Sequence, residues 1–259
     1  MSTEVLFEQE GPIGRITFSG PKGINVFSTA VLESLEARLD EVASQPEIRV
    51  LILTGNGKTF VAGADIAEMS ASGLDAGESF SKRGQACFAK LAGFEQAVTI
   101  AAINGAALGG GCEVATACDL RVMAEEAKIG VPEVKLGLIP GWGGTQRLRL
   151  LVGSSEAKRL VFTGEPIDGK AAERIGLVNR TVPAAELMTA VDDLARKILA
   201  NGPTAVRMAK RALLALDKAW LAQGLSAEAE AFGEAFGSPQ GREGLKAFLE
   251  KRAPNWDVS

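Results

Sequence analysis

The pattern of apolar and polar residues predicts strands alternating with helices in the first two thirds of the chain. Apolar positions alternate or cluster over residues 5–10 and 15–18, on either side of a turn with Gly and Pro, which predicts a β-hairpin. Residues 50–54 and 98–103 are uninterrupted apolar runs, typical of strands covered on both faces. Residues 28–43 show helical spacing, and Ser28 or Thr29 can cap that helix.

Helical patterns dominate from Ala184 to the end of the sequence. Pro203 suits the first position of a helix, and Ser238 with Pro239 marks the start of a last helix to about Lys251. We therefore predict an α/β core over residues 1–183 and a helical C-terminal region over residues 184–259. Other predicted helices lie in the core, at residues 76–94, 143–152, 154–163 and in a segment that ends at 175.

The most distinctive stretch, residues 104–144, contains a glycine triplet between a strand and a helix. Gly109, Gly110 and Gly111 allow a tight turn and a close approach to the backbone. The first N–H groups of the following helix lack partners inside it, so they can stabilise a negative charge that develops during a reaction. Glu113 follows Gly110 by about one helical turn and can share that face. Taken alone, the triplet is more typical of a close-packed junction with a surface glutamate.

Composition limits the classes of function. The 259 residues are 46% hydrophobic and 23% charged, which predicts a substantial core. A net charge of −4 offers no basic surface for nucleic acid. The sequence begins without a signal-peptide pattern and contains no apolar run long enough for a membrane span. Three cysteines without CxxC spacing favour reduced core thiols in a cytoplasmic protein.

The absence of histidine restricts the chemistry further. With no His and no Tyr, a Ser-His-Asp or Cys-His catalytic group and an imidazole metal site are both excluded. Proton transfer near neutral pH must then use Glu, Asp, Lys, Cys or water. The glycines after residues 50–54 lack P-loop spacing, and no GxGxxG motif is present, so a nucleotide-binding module is disfavoured.

Four segments, in this order and over nearly the whole chain, resemble the crotonase family, also called the enoyl-CoA hydratase/isomerase superfamily. The segments are residues 60–69 (FVAGADIAEM), 102–113 (AINGAALGGGCE), 131–148 (VPEVKLGLIPGWGGTQRL) and 160–178, which begins LVFTG and ends GLV. The end of the chain, GLKAFLEKRAPN at 244–255, is also similar to this family.

The resemblance implies a spiral of ββα units whose helical C-terminal region assembles trimers, often as a dimer of trimers. It implies an acyl-coenzyme A thioester as substrate, with no metal and no cofactor beyond the coenzyme A of the substrate itself. The backbone N–H groups of Ala64 and Gly110 match the family's oxyanion hole. Residues matching the coenzyme A site are Ala62, Asp65 and Ile66, together with Lys251, which matches a residue that reaches a neighbouring subunit's ligand.

Two glutamates match the acid and base of the hydratases in this family. By resemblance, Glu113 helps to activate a water toward C3 of the enoyl thioester, and Glu133 exchanges the proton at C2. Taken alone, Glu113 would be more typical of a favourable partner of the helix dipole, and Glu133 of a solvated side chain in a loop. Trp142 stands where many relatives have a smaller residue. Its indole either shapes the acyl pocket or packs outward.

The resulting hypothesis is addition of water to trans-2-enoyl-CoA thioesters to give 3-hydroxyacyl-CoA. The nearest alternative is an enoyl-CoA isomerase on the same scaffold, which can work with one main carboxylate. An alternative of another class is a non-catalytic oligomeric or RNA-binding member of the family. That alternative predicts a basic patch or a degraded oxyanion hole, and the sequence has neither feature.

Overall fold

A six-stranded sheet forms the centre of the computed structural model, which describes residues 2–258 except for the side chains of residues 216–220. The first two strands are antiparallel, as the predicted hairpin requires, and every later neighbour is parallel. In spatial order the strands are β1 (Glu4–Glu10), β2 (Ile13–Ser19), β3 (Val50–Gly55), β5 (Val98–Ile103), β7 (Leu120–Ala124) and β10 (Arg180–Val182).

A second, four-stranded sheet lies beside the first and positions the candidate site. Its strands are β4 (Thr59–Val61), β6 (Ala106–Leu108), β8 (Lys128–Gly130) and β9 (Ile167–Asp168), and the first three are parallel. The chain visits the large sheet, then the small sheet, three times in succession. Because parallel strands end at the same edge of a sheet, the segments after β4, β6 and β8 lie side by side.

Helical segments follow these strand pairs, so the predicted spiral of ββα units is confirmed. The helices are α1 (Thr29–Ala43), α2 (Ile66–Ala71), α3 (Gly77–Ala92), α4 (Gly110–Ala117), α5 (Gly144–Thr163), α6 (Gly169–Arg174), α7 (Leu187–Leu199), α8 (Pro203–Gly237) and α9 (Pro239–Leu249). A 3₁₀ segment, Glu133–Leu136, follows β8.

Most predicted boundaries agree with the structure to within a few residues. Ser28 caps α1 by accepting a hydrogen bond from the N–H of Val31 at 3.3 Å. Gly153, with φ of 75°, interrupts α5 between the two helices predicted there. The last helix ends at Leu249 rather than at Lys251.

The large sheet is buried on both faces, which explains its uninterrupted apolar runs. Leu51 and Leu53 of β3 belong to the main core, whereas Val50 and Ile52 face a second cluster completed by α7. Alternate residues of one strand point to opposite faces, so both sets must be apolar. The three cysteines are free and buried, as predicted; they are Cys87, Cys112 and Cys118.

Only helices follow β10 in the described part of the chain, which ends at residue 258. They also contact the core, most extensively where α8 packs against α3. The division into regions 1–183 and 184–259 therefore stays a prediction. No helix among the described residues combines the length and the apolar character that crossing a membrane requires.

Candidate active site

A cavity of about 690 Å³ opens at the edge where β4, β6 and β8 end. Its wall combines the turn after β4, the start of α4, the 3₁₀ segment and parts of α3, α8 and α9. Eight of the residues singled out from the sequence lie in this wall: Ala62, Ala64, Asp65, Ile66, Gly110, Glu113, Glu133 and Trp142. Segments up to 80 residues apart in the chain thus meet at one site.

In the turn after β4, a backbone bridge directs the N–H of Ala64 away from Phe27. Phe27 forms a parallel bridge here, donating to the carbonyl of Gly63 at 2.9 Å and accepting from the N–H of Asp65 at 2.8 Å. In such a bridge the intervening residue directs its own N–H to the opposite edge. The Asp65 carboxylate caps α2 by accepting from the N–H groups of Ala67 and Glu68.

The turn after β6 lies directly against the Ala64 turn. Gly109 has φ of 53°, which favours glycine, and a Cβ on it would lie 3.9 Å from the Cα of Gly63 and 3.0 Å from Oε1 of Glu133. Gly110 is the first residue of α4, so its N–H has no acceptor within the helix. Ala64 and Gly110, from different turns, therefore line one cavity, and their N–H groups as an oxyanion hole stay a prediction.

Glu113 is a buried carboxyl group with one oxygen firmly held. The residue is 2% exposed, and its Oε1 accepts from the N–H of Trp142 at 2.7 Å and of Gly144 at 2.9 Å. Burial raises the pKa of Glu113 well above its usual value, and the charges of Glu133 and Glu228 add to this effect. The two amides act in the opposite direction by stabilising the ionised form.

Glu133 has a contrasting environment. Its Oε2 is inaccessible to solvent and has no hydrogen-bond partner among the described residues. Burial raises the pKa of Glu133 to about 8, with a further contribution from the charge of Glu228. The backbone N–H of Glu133 lowers this pKa in part, whereas the carboxylate form of Glu113 is stabilised by two amide donors from another segment.

The indole of Trp142 packs inward, so the alternative of an outward orientation is wrong. The residue is 2% exposed, its ring centroid lies 5.3 Å from that of Phe80, and its Nε1 donates to the Phe80 carbonyl at 3.3 Å. A Cβ on Gly84 or on Gly110 would lie 2.2 Å or 2.5 Å from the indole. Two glycines thus leave the space that this ring fills in the cavity wall.

A third buried carboxyl group, Glu228 of α8, was not predicted from the sequence. It is 3% exposed, and it accepts from the N–H of Gly143 at 2.5 Å and of Thr145 at 2.9 Å. In the sequence it is indistinguishable from Glu230, which is exposed on the same helix. Only the packing of α8 on the rest of the chain separates the two.

Lys251 is not among the described residues of the cavity wall. It is exposed and follows the end of α9, with φ of 55°. The neighbouring Arg252 lines the cavity instead, and it forms an ion pair with Glu243 at 2.5 Å. The role of Lys251 toward a second subunit stays a prediction.

A spiral α/β fold with paired backbone donors and buried carboxyl groups at one cavity defines the class of this protein. The family model for enoyl-CoA hydratase/isomerase matches residues 8–258, and the chain therefore belongs to that family. The assignment made from the sequence, of both family and fold, is confirmed.

Similar proteins cover nearly the full chain. The Short-chain-enoyl-CoA hydratase of Clostridium acetobutylicum is 43% identical over 249 residues, which are 96% of this chain and 95% of that protein. The Crotonyl-CoA hydratase of Syntrophomonas wolfei is 43% identical and covers 97% of both chains. The crystal structure of an enoyl-CoA hydratase from Bacillus anthracis superposes with a TM-score of 0.79 at 37% identity, over 99% of this chain and 100% of the other.

Proposed function

We propose that this protein adds water to the 2,3 double bond of a trans-2-enoyl-CoA thioester and forms the 3-hydroxyacyl-CoA. The unequal environments of the two cavity carboxyls carry this proposal. Hydration needs a base for the water and an acid for the carbon that receives a proton. Glu113, with two amide donors, suits the base, and Glu133, whose Oε2 accepts no hydrogen bond among the described residues, suits the acid.

In the proposed reaction the N–H groups of Ala64 and Gly110 bind the thioester oxygen. They stabilise the negative charge that this oxygen acquires when water attacks C3. Glu113 accepts a proton from the attacking water, and Glu133 delivers one to C2. The same two carboxyls serve the reverse reaction with exchanged roles. No metal or further cofactor takes part in the proposal, and coenzyme A enters only as part of the substrate, past Ala62, Asp65 and Ile66.

We further propose that the preferred acyl chain is short. Trp142, Phe80 and Phe232 line the cavity, and the ring centroids of Phe80 and Phe232 lie 6.2 Å apart. This aromatic wall occupies space that the end of a longer chain would need. The names of the relatives from Clostridium acetobutylicum and Syntrophomonas wolfei, which specify short-chain and crotonyl substrates, support the same choice.

Assembly and location are part of the same proposal. We expect a homotrimer or a dimer of trimers, supported by large apolar side chains that are exposed in the single chain, namely Leu150, Phe162, Met208 and Leu213. Light scattering on the purified protein tests this expectation.

Three buried free cysteines fit a reducing cytoplasm, which is the location that we propose.

The decisive experiment uses a four-carbon trans-2-enoyl-CoA and follows the loss of its conjugated thioester absorbance. We expect rapid turnover by the wild type, and a loss of kcat of about 100- to 10,000-fold in Glu113→Gln and in Glu133→Gln. Glu230→Gln is the matched control, since this exposed glutamate lies outside the cavity wall.

Two results would contradict the hydratase proposal. A wild type that leaves four- to eight-carbon trans-2-enoyl-CoA substrates unchanged is one. The other is conversion of a 3-enoyl-CoA to its 2-enoyl isomer by a Glu113→Gln variant that remains fully active. That second result would favour the isomerase, which can use Glu133 alone.

A further inference from the structure

One short turn, residues 142–145, donates its successive N–H groups to two different carboxylates. The N–H groups of Trp142 and Gly144 both donate to Glu113, at 2.7 and 2.9 Å. Those of Gly143 and Thr145, which alternate with them, donate to Glu228, at 2.5 and 2.9 Å. Four consecutive backbone donors are thus shared equally between the candidate base and a carboxyl group that the proposed mechanism does not use.

Glu228 is more completely bound than either carboxyl of the cavity. Besides the two amides it accepts from the Thr145 hydroxyl and from Nε2 of Gln85 at 3.2 Å. Glu113 has two donors, and Oε2 of Glu133 has none among the described residues. Burial raises the pKa of Glu228, and its four donors oppose that effect by stabilising the ionised form.

The turn is also fixed on its carbonyl side. Arg147 is 4% exposed, and its Nη1 donates to the carbonyl of Trp142 at 2.8 Å. Glu228 approaches from α8 and Arg147 from α5, so the backbone between them is held from two sides. Movement of this turn would displace both the donors of Glu113 and the indole of Trp142.

We propose that Glu228 is a positioning residue for the hydration, which fixes the 142–145 turn and through it holds Glu113 beside the cavity. This inference rests on the proposed function of the site. Glu228 is absent from the described residues of the cavity wall, so it acts through the turn rather than on the substrate. No feature of the sequence around it predicts this role.

The charge of Glu228 has a second, measurable consequence. A negative charge in this cluster raises the pKa of Glu113 and of Glu133, in each case after the larger effect of burial. Among the described residues the other charged group of the cluster is Arg147 on α5, while Gln85 of α3 is neutral. Glu78 and Lys82 of α3 pair with each other at the surface. Loss of the Glu228 charge should therefore lower the pKa of both Glu113 and Glu133.

Steady-state kinetics of Glu228→Gln between pH 5 and 10 tests the inference, with the four-carbon trans-2-enoyl-CoA as substrate. We expect kcat to fall about 100-fold, as small misplacements of a catalytic group do, with KM changed less than about threefold. The upper limb of the pH profile, set by Glu133, should move to lower pH by about one unit. Glu230→Gln, on the same helix but exposed, should match the wild type.

Two further variants separate position from charge. Glu228→Asp keeps the charge but withdraws the carboxylate, so kcat should fall while the upper limb stays near the wild-type pH. Thr145→Val removes one hydroxyl donor and keeps the N–H, so a loss of kcat of about threefold is expected. Thr145→Val remains informative even where Glu228→Gln fails to fold.

A titration of the carboxyl ¹³C signals, without substrate, distinguishes this inference from the proposed function. The midpoint of Glu133 should lie at lower pH in Glu228→Gln than in the wild type. In Glu228→Gln, a kcat within about threefold of the wild type, or an unmoved upper limb and titration, overturns the role of Glu228; in Thr145→Val, an unchanged kcat does so. A wild type without hydratase activity overturns the proposed function, whatever the titration shows.

Discussion

The two cavity carboxyls occupy regions that are built in opposite ways. Glu113 lies in α4, a helix whose eight residues are all buried, and both donors to its Oε1 come from one turn. Glu133 begins a four-residue 3₁₀ segment in which no residue is fully buried, and its Oε2 has no partner among the described residues. One region holds its carboxyl through two amide donors in a fully buried helix, and the other leaves one carboxyl oxygen unbonded, among the described residues, in a less packed segment.

This difference matters because an acid and a base of the same residue type must be distinguished by their surroundings. Burial raises the pKa of both Glu113 and Glu133. Two amide donors at Oε1 oppose this effect at Glu113, whereas at Glu133 the hydrogen bond that opposes it comes from the residue's own backbone N–H. The polypeptide thus assigns separate roles without using a histidine, which the chain does not contain.

The largest expected effect concerns the dependence of the two residues on each other. Because the proposed addition uses Glu113 as base and Glu133 as acid, Glu113→Gln and Glu133→Gln should each lower kcat by about 100- to 10,000-fold. The kcat of the double variant should be less than about tenfold below that of the less active single variant. Losses from residues that act as a unit do not multiply. Losses that multiply fully would contradict a shared step.

Shortening the side chains should separate the rigid region from the less packed one. In Glu113→Asp the carboxylate cannot reach both amides of the turn and the cavity, so we expect kcat to fall about 100-fold. Glu133→Asp should lose only about tenfold, since the wild-type Oε2 has no hydrogen bond to break among the described residues. Rate measurements at the pH optimum of each variant check this order. Equal losses would remove the distinction between the two regions.

Local sequence patterns predicted the strand and helix around Glu113 better than the short strands of the four-stranded sheet. The run at 98–103 and the glycine triplet after it are local signals, and they became β5 and the start of α4. By contrast, β4, β6 and β8 have three residues each, too few for a recognisable periodicity. Their parallel pairing brings the site residues together. The grouping of these residues into one site could therefore be predicted from the family resemblance but not from local patterns.

Glu228 could not be recognised from the chain alone. Its burial is decided by the packing of α8, and its partners are backbone N–H groups more than 80 residues away. Backbone donors have no residue-type signature. The orientation of Trp142 was left open for a related reason, because the space for its indole comes from Gly84 of α3.

Removal of the Trp142 indole should change which acyl chain is accepted. In Trp142→Ala we expect the ratio of kcat/KM for eight-carbon over four-carbon trans-2-enoyl-CoA to rise roughly tenfold, because the pocket lengthens. Stability should fall by about 3–5 kcal/mol, as for other buried aromatic residues. Trp256→Ala is the control, since Trp256 is 43% exposed and lies outside the cavity wall. An unchanged ratio would place the end of the acyl chain elsewhere.

A last effect concerns stability, and it tests the region of Glu133 alone. The pKa of Glu133 rises from 4.5 to about 8 on folding, so the folded protein holds a proton that the unfolded chain releases in this window. The resulting stabilisation is complete below pH 4.5 and is lost as pH rises through about 8. The amide introduced by Glu133→Gln cannot ionise. The free energy of unfolding of this variant relative to the wild type should therefore grow between pH 5 and 8, by up to about 1.4 kcal/mol per pH unit.

Urea unfolding at a fixed protein concentration, at pH 5 and at pH 8, measures this difference directly. Glu230→Gln should follow the wild type at both pH values, because Glu230 is exposed. A Glu133→Gln variant that differs from the wild type by the same amount at pH 5 and pH 8 would mean that Glu133 titrates near its ordinary value. The acid of the proposed reaction would then have to be sought at Glu113, where burial also raises the pKa.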